Sequence, residues 1–446
     1  MKLPAKGMTR DELDQQLQLE ASKDVDWKGG KIWTLVYYAG DDVADVLAQT
    51  FTQYLYTNGL GPTAFKSLKR FESEVIAMTA ALLSAPAAGD QPGAVGNMTT
   101  GGTESILMAV KTARDWARDQ LPQIERPEMV VPVTAHPAFD KAAHYLSVKL
   151  VPVPIGDDLR VDLAQAEAAI TDNTIMVVGS APNYPYGTID DIPRLASMAL
   201  ARGLLCHVDS CLGGFFLPFM RMLGEPVPRF DFEVPGVTSI SADLHKYGYS
   251  VRGTSTIMYR KPELRRYQFF ARADWAGGLY GSPTMTGSRP GAAIAASWAL
   301  MNYLGEEGYL ERVKSTLDTT RKLIDGINAI PGLVVRGEPA MSVLAFGSDD
   351  FDCYALSSAM RKRSWDIERL QRPKNLHLVV TPNHAGVADQ FLADLREASD
   401  EVRDQPATES GEPAIYGALD SVEDNSNVRD LILNFIDSLT RMEHQP

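Results

Sequence analysis

The stretch "SISADLHKYGYS", residues 239–250, opens on small and apolar residues and then sets His245 directly before Lys246. "SISAD" reads as a strand, which puts the histidine and the lysine just past its end. A lysine there is either a surface charge or a partly desolvated amine. Only the second can lose its proton near neutral pH and bond to an aldehyde. The rest of the chain decides between them.

Similar apolar runs stand on both sides: "EMVVPV" (128–133), "KLVPVPI" (149–155), "TIMVVGSA" (174–181), "LLCHVDS" (204–210) and "STIMYR" (255–260). Helical patterns at 104–119, 138–147, 162–170 and 191–202 separate several of them. Strands that are apolar throughout and alternate with helices predict an α/β fold with a mostly parallel sheet covered on both faces. Upstream, 9–28 reads as a polar helix followed by a loop, and 41–57 and 66–84 as further helices. Residues 291–329 read as helix connecting two domains. Past "PGL" (331–333) come the strands "LVVRG" and "MSVLAFGS", a helix at 352–363 and "LHLVVTPNH", a smaller α+β unit, while the polar stretch 404–425 reads as a loop. The expected division is an N-terminal segment and helix over 1–57, a large domain over 58–300 and a small C-terminal domain over 301–446.

Composition narrows the function classes. The 446 residues are 45% hydrophobic and 22% charged, ordinary for a soluble globular protein. A net charge of −14 argues against a nucleic-acid partner, which would want a basic field. The three cysteines, Cys206, Cys211 and Cys353, are odd in number and match no metal spacing, so no metal site is expected and a reducing, cytoplasmic setting fits. The first twenty residues lack the apolar core of a signal peptide, and no run of about 18 apolar residues predicts a membrane span.

Four local patterns carry chemistry. In "GNMTTGGTESILMAVKTARDW" (96–116) small residues run into a helix whose N-terminus, at Gly102 and Thr103, is either a phosphate cradle or an ordinary cap made by Thr103 or Ser105. In "LLCHVDSCLGGF" (204–215) Asp209 ends a buried strand, where open α/β sheets bind ligands. A carboxylate there needs a cationic partner, such as a heterocyclic N–H⁺, unless it is a structural cap. In "TAHPAFDKAAHY" (134–145) His136 sits between a strand and a helix, placed to stack on a flat ligand or to exchange protons. The fourth is His245–Lys246 itself. Taken together they fit one cofactor, pyridoxal 5'-phosphate. Its phosphate needs the helix start, its ring nitrogen the carboxylate, and its aldehyde the lysine.

Seven segments resemble the sphingosine-1-phosphate lyases, in the group II decarboxylase-like branch of the fold type I pyridoxal-phosphate enzymes. They are "TTGGTESILMA", "AHPAFDKAAHY", "APNYPYGTIDDI", "HVDSCLGGF", "SADLHKYGY", "ADWAGGLYGSPTMTGSRPGA" and "LQRPKNLHLVVT", in the family's order across roughly residues 30–390. The resemblance implies that Lys246 carries the cofactor, that Asp209 faces its ring nitrogen and that His136 stacks on the ring. It implies phosphate contacts from Gly102, Thr103 and His245, with Ser288 reaching the phosphate from a neighbouring subunit of a homodimer. Asn183 and Tyr184 are expected to face cofactor and substrate, Tyr184 with a catalytic role, and Tyr37 and Arg252 to hold the substrate's phosphate. Two positions depart from the family: Gly61 stands where it has a histidine, and Arg252 where it has a lysine. The implied reaction is retro-aldol cleavage of a phosphorylated sphingoid base to a long-chain aldehyde and phosphoethanolamine. Two other readings stay open at this point. One is an amino-acid decarboxylase of the same branch, with Arg252 on the carboxylate; the other is a non-catalytic binding protein that retains the fold.

Overall fold

The computed structural model describes residues 2–85, 93–403 and 425–439. Its centre is a seven-stranded sheet built from β1 (Val95–Thr99), β2 (Glu128–Pro132), β3 (Lys149–Val153), β4 (Thr174–Ser180), β5 (Leu205–Asp209), β6 (Ser239–Ala242) and β7 (Ser255–Tyr259). The spatial order is β1-β7-β6-β5-β4-β2-β3. Strands β2 to β6 pair in parallel, and β7 runs antiparallel to both β6 and β1. The mostly parallel α/β sheet expected from the apolar runs is what forms. Its inner strands β2, β4, β5, β6 and β7 are buried at every residue, which is why their sequences do not alternate. The polar strand β1, "VGNMT", has no such run and reads in sequence only as an approach to the next helix.

The flanking helices are α1 (Arg10–Ala21), α2 (Asp41–Gln53), α3 (Lys66–Leu82), α4 (Gly102–Gln120), α5 (Ala138–Leu146), α6 (Leu163–Ala168), α7 (Ile192–Ala201), α8 (Leu217–Met222), α9 (Pro262–Arg265) and α10 (Gly291–Asn328). Several starts are chemically marked. Thr9 and Glu12 cap α1 reciprocally, Asp162 accepts from two backbone N–H groups of α6, and Asp191 accepts from Arg194 N of α7. Helix α2 stops four residues short of the expected Thr57, whose hydroxyl turns back to donate to Tyr54 O at 2.7 Å while Asn58 bridges to Pro290.

A short hairpin, β8 (Phe270–Arg272) with β9 (Tyr280–Ser282), follows the main sheet. Beyond it, β10 (Val334–Arg336), β11 (Val343–Gly347), β12 (Glu368–Gln371) and β13 (Lys374–Val379) form an antiparallel sheet in the order β10-β11-β13-β12. Helices α11 (Cys353–Lys362) and α12 (Ala388–Arg403) pack there, and α13 (Asn425–Ser438) is the last described element. Helix α10 runs through residue 300 and breaks only at Gly305, where φ is 54° and ψ −169°. Its first part and the residues up to Leu317 join the core of the large sheet; Leu323 and Ile327 join a second core around Phe346, Trp365 and Phe391. Trp33, from the N-terminal segment, belongs to that second core and stacks on His384 at 4.1 Å. Most of the 404–425 stretch expected as a loop lies outside the described residues. Among the described residues no helix is long and apolar enough to cross a membrane, and all three cysteines are buried free thiols.

Candidate active site

Strands β4, β5 and β6 end side by side: Ser180 is in register with Asp209, and Asp209 with Ser241. The N-terminus of α4 and the loop after β2 close over these ends to leave a cleft of about 500 Å³. Gly102, Thr103, His136, Tyr184, Asp209, His245 and Lys246 all line it, along with Cys211, Asp243, Met285 and Thr286. Ligands gather at such strand ends because the chain diverges there and leaves backbone groups unpaired.

Lys246 is buried rather than a surface charge, but a neighbouring carboxylate makes it hold its proton, against the expectation that burial would free the amine near neutral pH. Its side chain is 19% exposed, and Nζ lies 3.0 Å from Oδ2 of Asp243, itself 1% exposed. Burial pulls the ammonium down, but the Asp243 carboxylate, with Cys211, Tyr37 and Asp209, outweighs it and holds the pKa above the ordinary lysine value. The same pairing keeps the Asp243 carboxyl below its usual range against burial. His245 Nε2 stands 3.7 Å from that carboxylate, and its Nδ1 accepts from Thr254 N at 3.2 Å. Asp243 is the residue that sequence reading missed. Its signal is the three-residue spacing to Lys246, which a single turn brings together.

Asp209 is held from behind. Its Oδ1 accepts from Cys211 N at 3.1 Å and from the Ser241 hydroxyl at 3.2 Å, which leaves Oδ2 for the cleft. Ser241 in turn lies 3.3 Å from Nε2 of the fully buried His207, whose Nδ1 is 2.9 Å from the Ser239 hydroxyl. Burial pushes His207 down to about 4, so it is a neutral link in this file of side chains. His136, half-buried, accepts from Ala138 N at 3.1 Å through Nδ1, and burial lowers its pKa against the pull of Asp209.

At the start of α4 the capping reading fails. The helix has no side-chain cap, and Ser105 bonds instead to Thr99 at 2.7 Å and Ser255 at 2.8 Å. Gly101, at φ 145°, turns the chain into the helix, and a Cβ at Gly102 would meet the Asp243 carboxylate at 2.8 Å and Cys211 Sγ at 2.9 Å. Glu104, also unforeseen, accepts from Thr100 N at 2.6 Å and from Met285 N at 2.8 Å, pinning the 285–286 segment beside the cleft.

The expected substrate residues partly converge. The Tyr37 ring packs edge-on against Tyr247 at 5.0 Å, and the Arg252 guanidinium lies 5.3 Å from its centre. Burial pushes the Tyr37 phenol up to about 12, opposed by Lys246 and Arg252. Both residues line a hollow of about 220 Å³ that shares His245 with the main cleft. Tyr184 lines the cleft and donates to Glu368 of β12 at 2.6 Å. Two expected residues lie elsewhere. Asn183 does not line the cleft: its amide donates to Thr188 and Leu159 O and accepts from Tyr186 N, so it shapes the loop that carries Tyr184. Ser288 is exposed, accepts from Asn58 at 3.0 Å and does not reach this chain's own cleft. At Gly61 an added Cβ would meet nothing closer than 3.8 Å, so the missing histidine leaves room.

These residues fit pyridoxal phosphate. Gly102 and Thr103 put the start of α4, which has no side-chain cap, on the cleft wall, where its free N–H groups suit an anion. A lysine amine and a strand-end carboxylate face one cavity, with a neutral imidazole on its wall. Lys246 would hold the aldehyde carbon, Asp209 the ring nitrogen, and the Gly102–Thr103 turn the phosphate.

Comparison with known proteins agrees. The pyridoxal-dependent decarboxylase conserved domain matches residues 10–348. The sphingosine-1-phosphate lyase of Arabidopsis thaliana is 44% identical over 98% of this chain and 80% of its own. The solved sphingosine-1-phosphate lyase of Burkholderia pseudomallei is 39% identical, with a TM-score of 0.91 covering 99% of this chain and 98% of that one. A probable L-aspartate decarboxylase of Pyrococcus furiosus is 34% identical over 82% of this chain and 95% of its own. The chain belongs to the pyridoxal-dependent decarboxylase family and, within it, to the sphingosine-1-phosphate lyases.

Proposed function

We propose that the chain is a pyridoxal-phosphate-dependent lyase that cleaves the C2–C3 bond of a phosphorylated sphingoid base, releasing a long-chain aldehyde and phosphoethanolamine. The observation that supports this reading is that Tyr37 and Arg252 pack together in a hollow sharing His245 with the cleft of Lys246, where they could hold a remote phosphate. When bound, the cofactor supplies an electron sink next to the substrate's amine-bearing carbon.

The protein's part is to select the bond. Arg252 is a planar, permanently charged donor, and with Tyr37 it would anchor the remote phosphate and so orient the substrate for the bond to be broken. Asp209, braced by Ser241 and Cys211 N, would keep a proton on the ring nitrogen of the bound cofactor. Lys246, His136 and Tyr184 are the groups placed to move protons in the cleft. Ser288 is exposed and free to serve a second copy's site, and α1 buries no side chain within one chain; both support a homodimer with shared sites. Three free buried thiols support a cytoplasmic setting.

Incubation with phosphorylated and unphosphorylated sphingoid bases tests the reading. Long-chain aldehyde from the phosphorylated base alone is the expected result. Carbon dioxide released from an amino acid, with no aldehyde from either base, would make the chain a decarboxylase in which Arg252 binds a carboxylate.

A further inference from the structure

The loop that carries Tyr184 is held by the small antiparallel sheet. Tyr184 donates to Glu368 at 2.6 Å, Tyr186 donates to Arg372 O at 3.0 Å, and His377 Nδ1 lies 3.2 Å from Pro185 O. The Tyr184 ring also packs against His377 at 4.4 Å, and Glu368 and His377 face each other across β12 and β13. At the base of the loop Gly187 has φ +70°, and a Cβ there would strike Val343 O of β11, so its approach to the small sheet is fixed. Three separate contacts thus fix one tyrosine at the mouth of the cleft.

Hydrogen-bond arithmetic gives this a consequence. A phenol has one hydrogen to donate and an oxygen that accepts. Tyr184 gives its hydrogen to a carboxylate, the strongest acceptor available, so its oxygen can only accept. Burial and the same carboxylate hold the phenol above its ordinary pKa, so it stays neutral. Its side chain lines the same cleft as Lys246. An acceptor-only oxygen therefore belongs to the cleft that holds the reactive amine.

We propose that Glu368 is a positioning residue that makes Tyr184 an obligatory hydrogen-bond acceptor, and that the pair selects substrates carrying a hydroxyl on the carbon next to the amine-bearing carbon. This rests on the lyase reading, in which that hydroxyl must surrender its hydrogen as the bond breaks. Glu368 provides the onward acceptor: a proton passing from the substrate hydroxyl to Tyr184 O is matched by the Tyr184 proton passing to Glu368. A substrate without the hydroxyl gains nothing from the pair.

The test compares the holoenzyme with its Tyr184→Phe, Glu368→Ala and Glu368→Gln variants. Two constants are read: kcat/KM for a phosphorylated sphingoid base, and Ki for its 3-deoxy analogue. Loss of the pair lowers kcat/KM by about tenfold, the worth of one hydrogen bond, and leaves Ki for the 3-deoxy analogue within about twofold. Glu368→Gln keeps a hydrogen-bond acceptor for Tyr184 but cannot take up its proton, so its kcat/KM stays within about threefold of Glu368→Ala. Thermal melts and cofactor absorbance matching the parent show that the variants remain folded and loaded. Both constants moving together, or neither moving, overturns the proposal while leaving the lyase reading intact. No aldehyde from the parent enzyme overturns both.

Discussion

At position 246 the decisive balance is between burial and charge. Desolvation alone would lower the lysine pKa, and the nearby Asp243 carboxylate reverses that. Asp243→Asn removes the larger opposing influence, so the neutral amine becomes available at lower pH. The pH midpoint for cofactor uptake by the cofactor-free protein should therefore move down, followed by visible absorbance; an unchanged midpoint would contradict the pairing. Asp209→Asn keeps the shape but removes the charge that sustains ring protonation. It should lower kcat by about 10²–10³ with little change in cofactor affinity, measured by steady-state turnover and titration. Asp209, His136 and Lys246 were legible in sequence because each sits at the end of a strand that the apolar runs announce. Glu368 was not, because its partner Tyr184 is 184 residues away and no local pattern joins them.

Among the elements, the start of α4 is the most exacting. A Cβ at Gly102 would push on the Asp243 carboxylate and Cys211 within 2.9 Å, and so disturb the wall of the cleft. Gly102→Ala should weaken cofactor binding by about tenfold or more while the helix itself gains from alanine's propensity. A melting temperature that falls in step with cofactor affinity would instead point to simple loss of folding. The buried strands were readable because a strand covered on both faces has no polar side to show. Strand β1 and the β8–β9 hairpin were not, since "VGNMT" and "FAR" carry polar residues that tertiary pairing tolerates. The end of α2 was misjudged by four residues because Thr57 and Asn58 bond to a distant turn rather than continue the helix.

Across the whole molecule, three buried histidines link stability to pH. Burial pushes His207, His377 and His384 each down to about 4 from the ordinary 6.5. The unfolded chain protonates them near 6.5 and the folded chain does not, so stability falls as pH drops from about 6.5 toward 4. Each should cost about 2 kcal/mol between pH 6.5 and 5, seen as a falling urea midpoint of the cofactor-free protein. A flat midpoint over that range would mean that the rings protonate in place. The α/β class was legible from the alternation of runs and helices, whereas the second core was not: it takes Trp33 from one end of the chain and Phe391 from the other. The account as a whole turns on Lys246 as the residue that bonds to the cofactor across the cleft from Asp209. Borohydride reduction of the pyridoxal-phosphate-loaded protein, followed by peptide mapping, measures this directly. The adduct is predicted on Lys246 and should vanish in Lys246→Ala; an adduct on another lysine, or none, would contradict it.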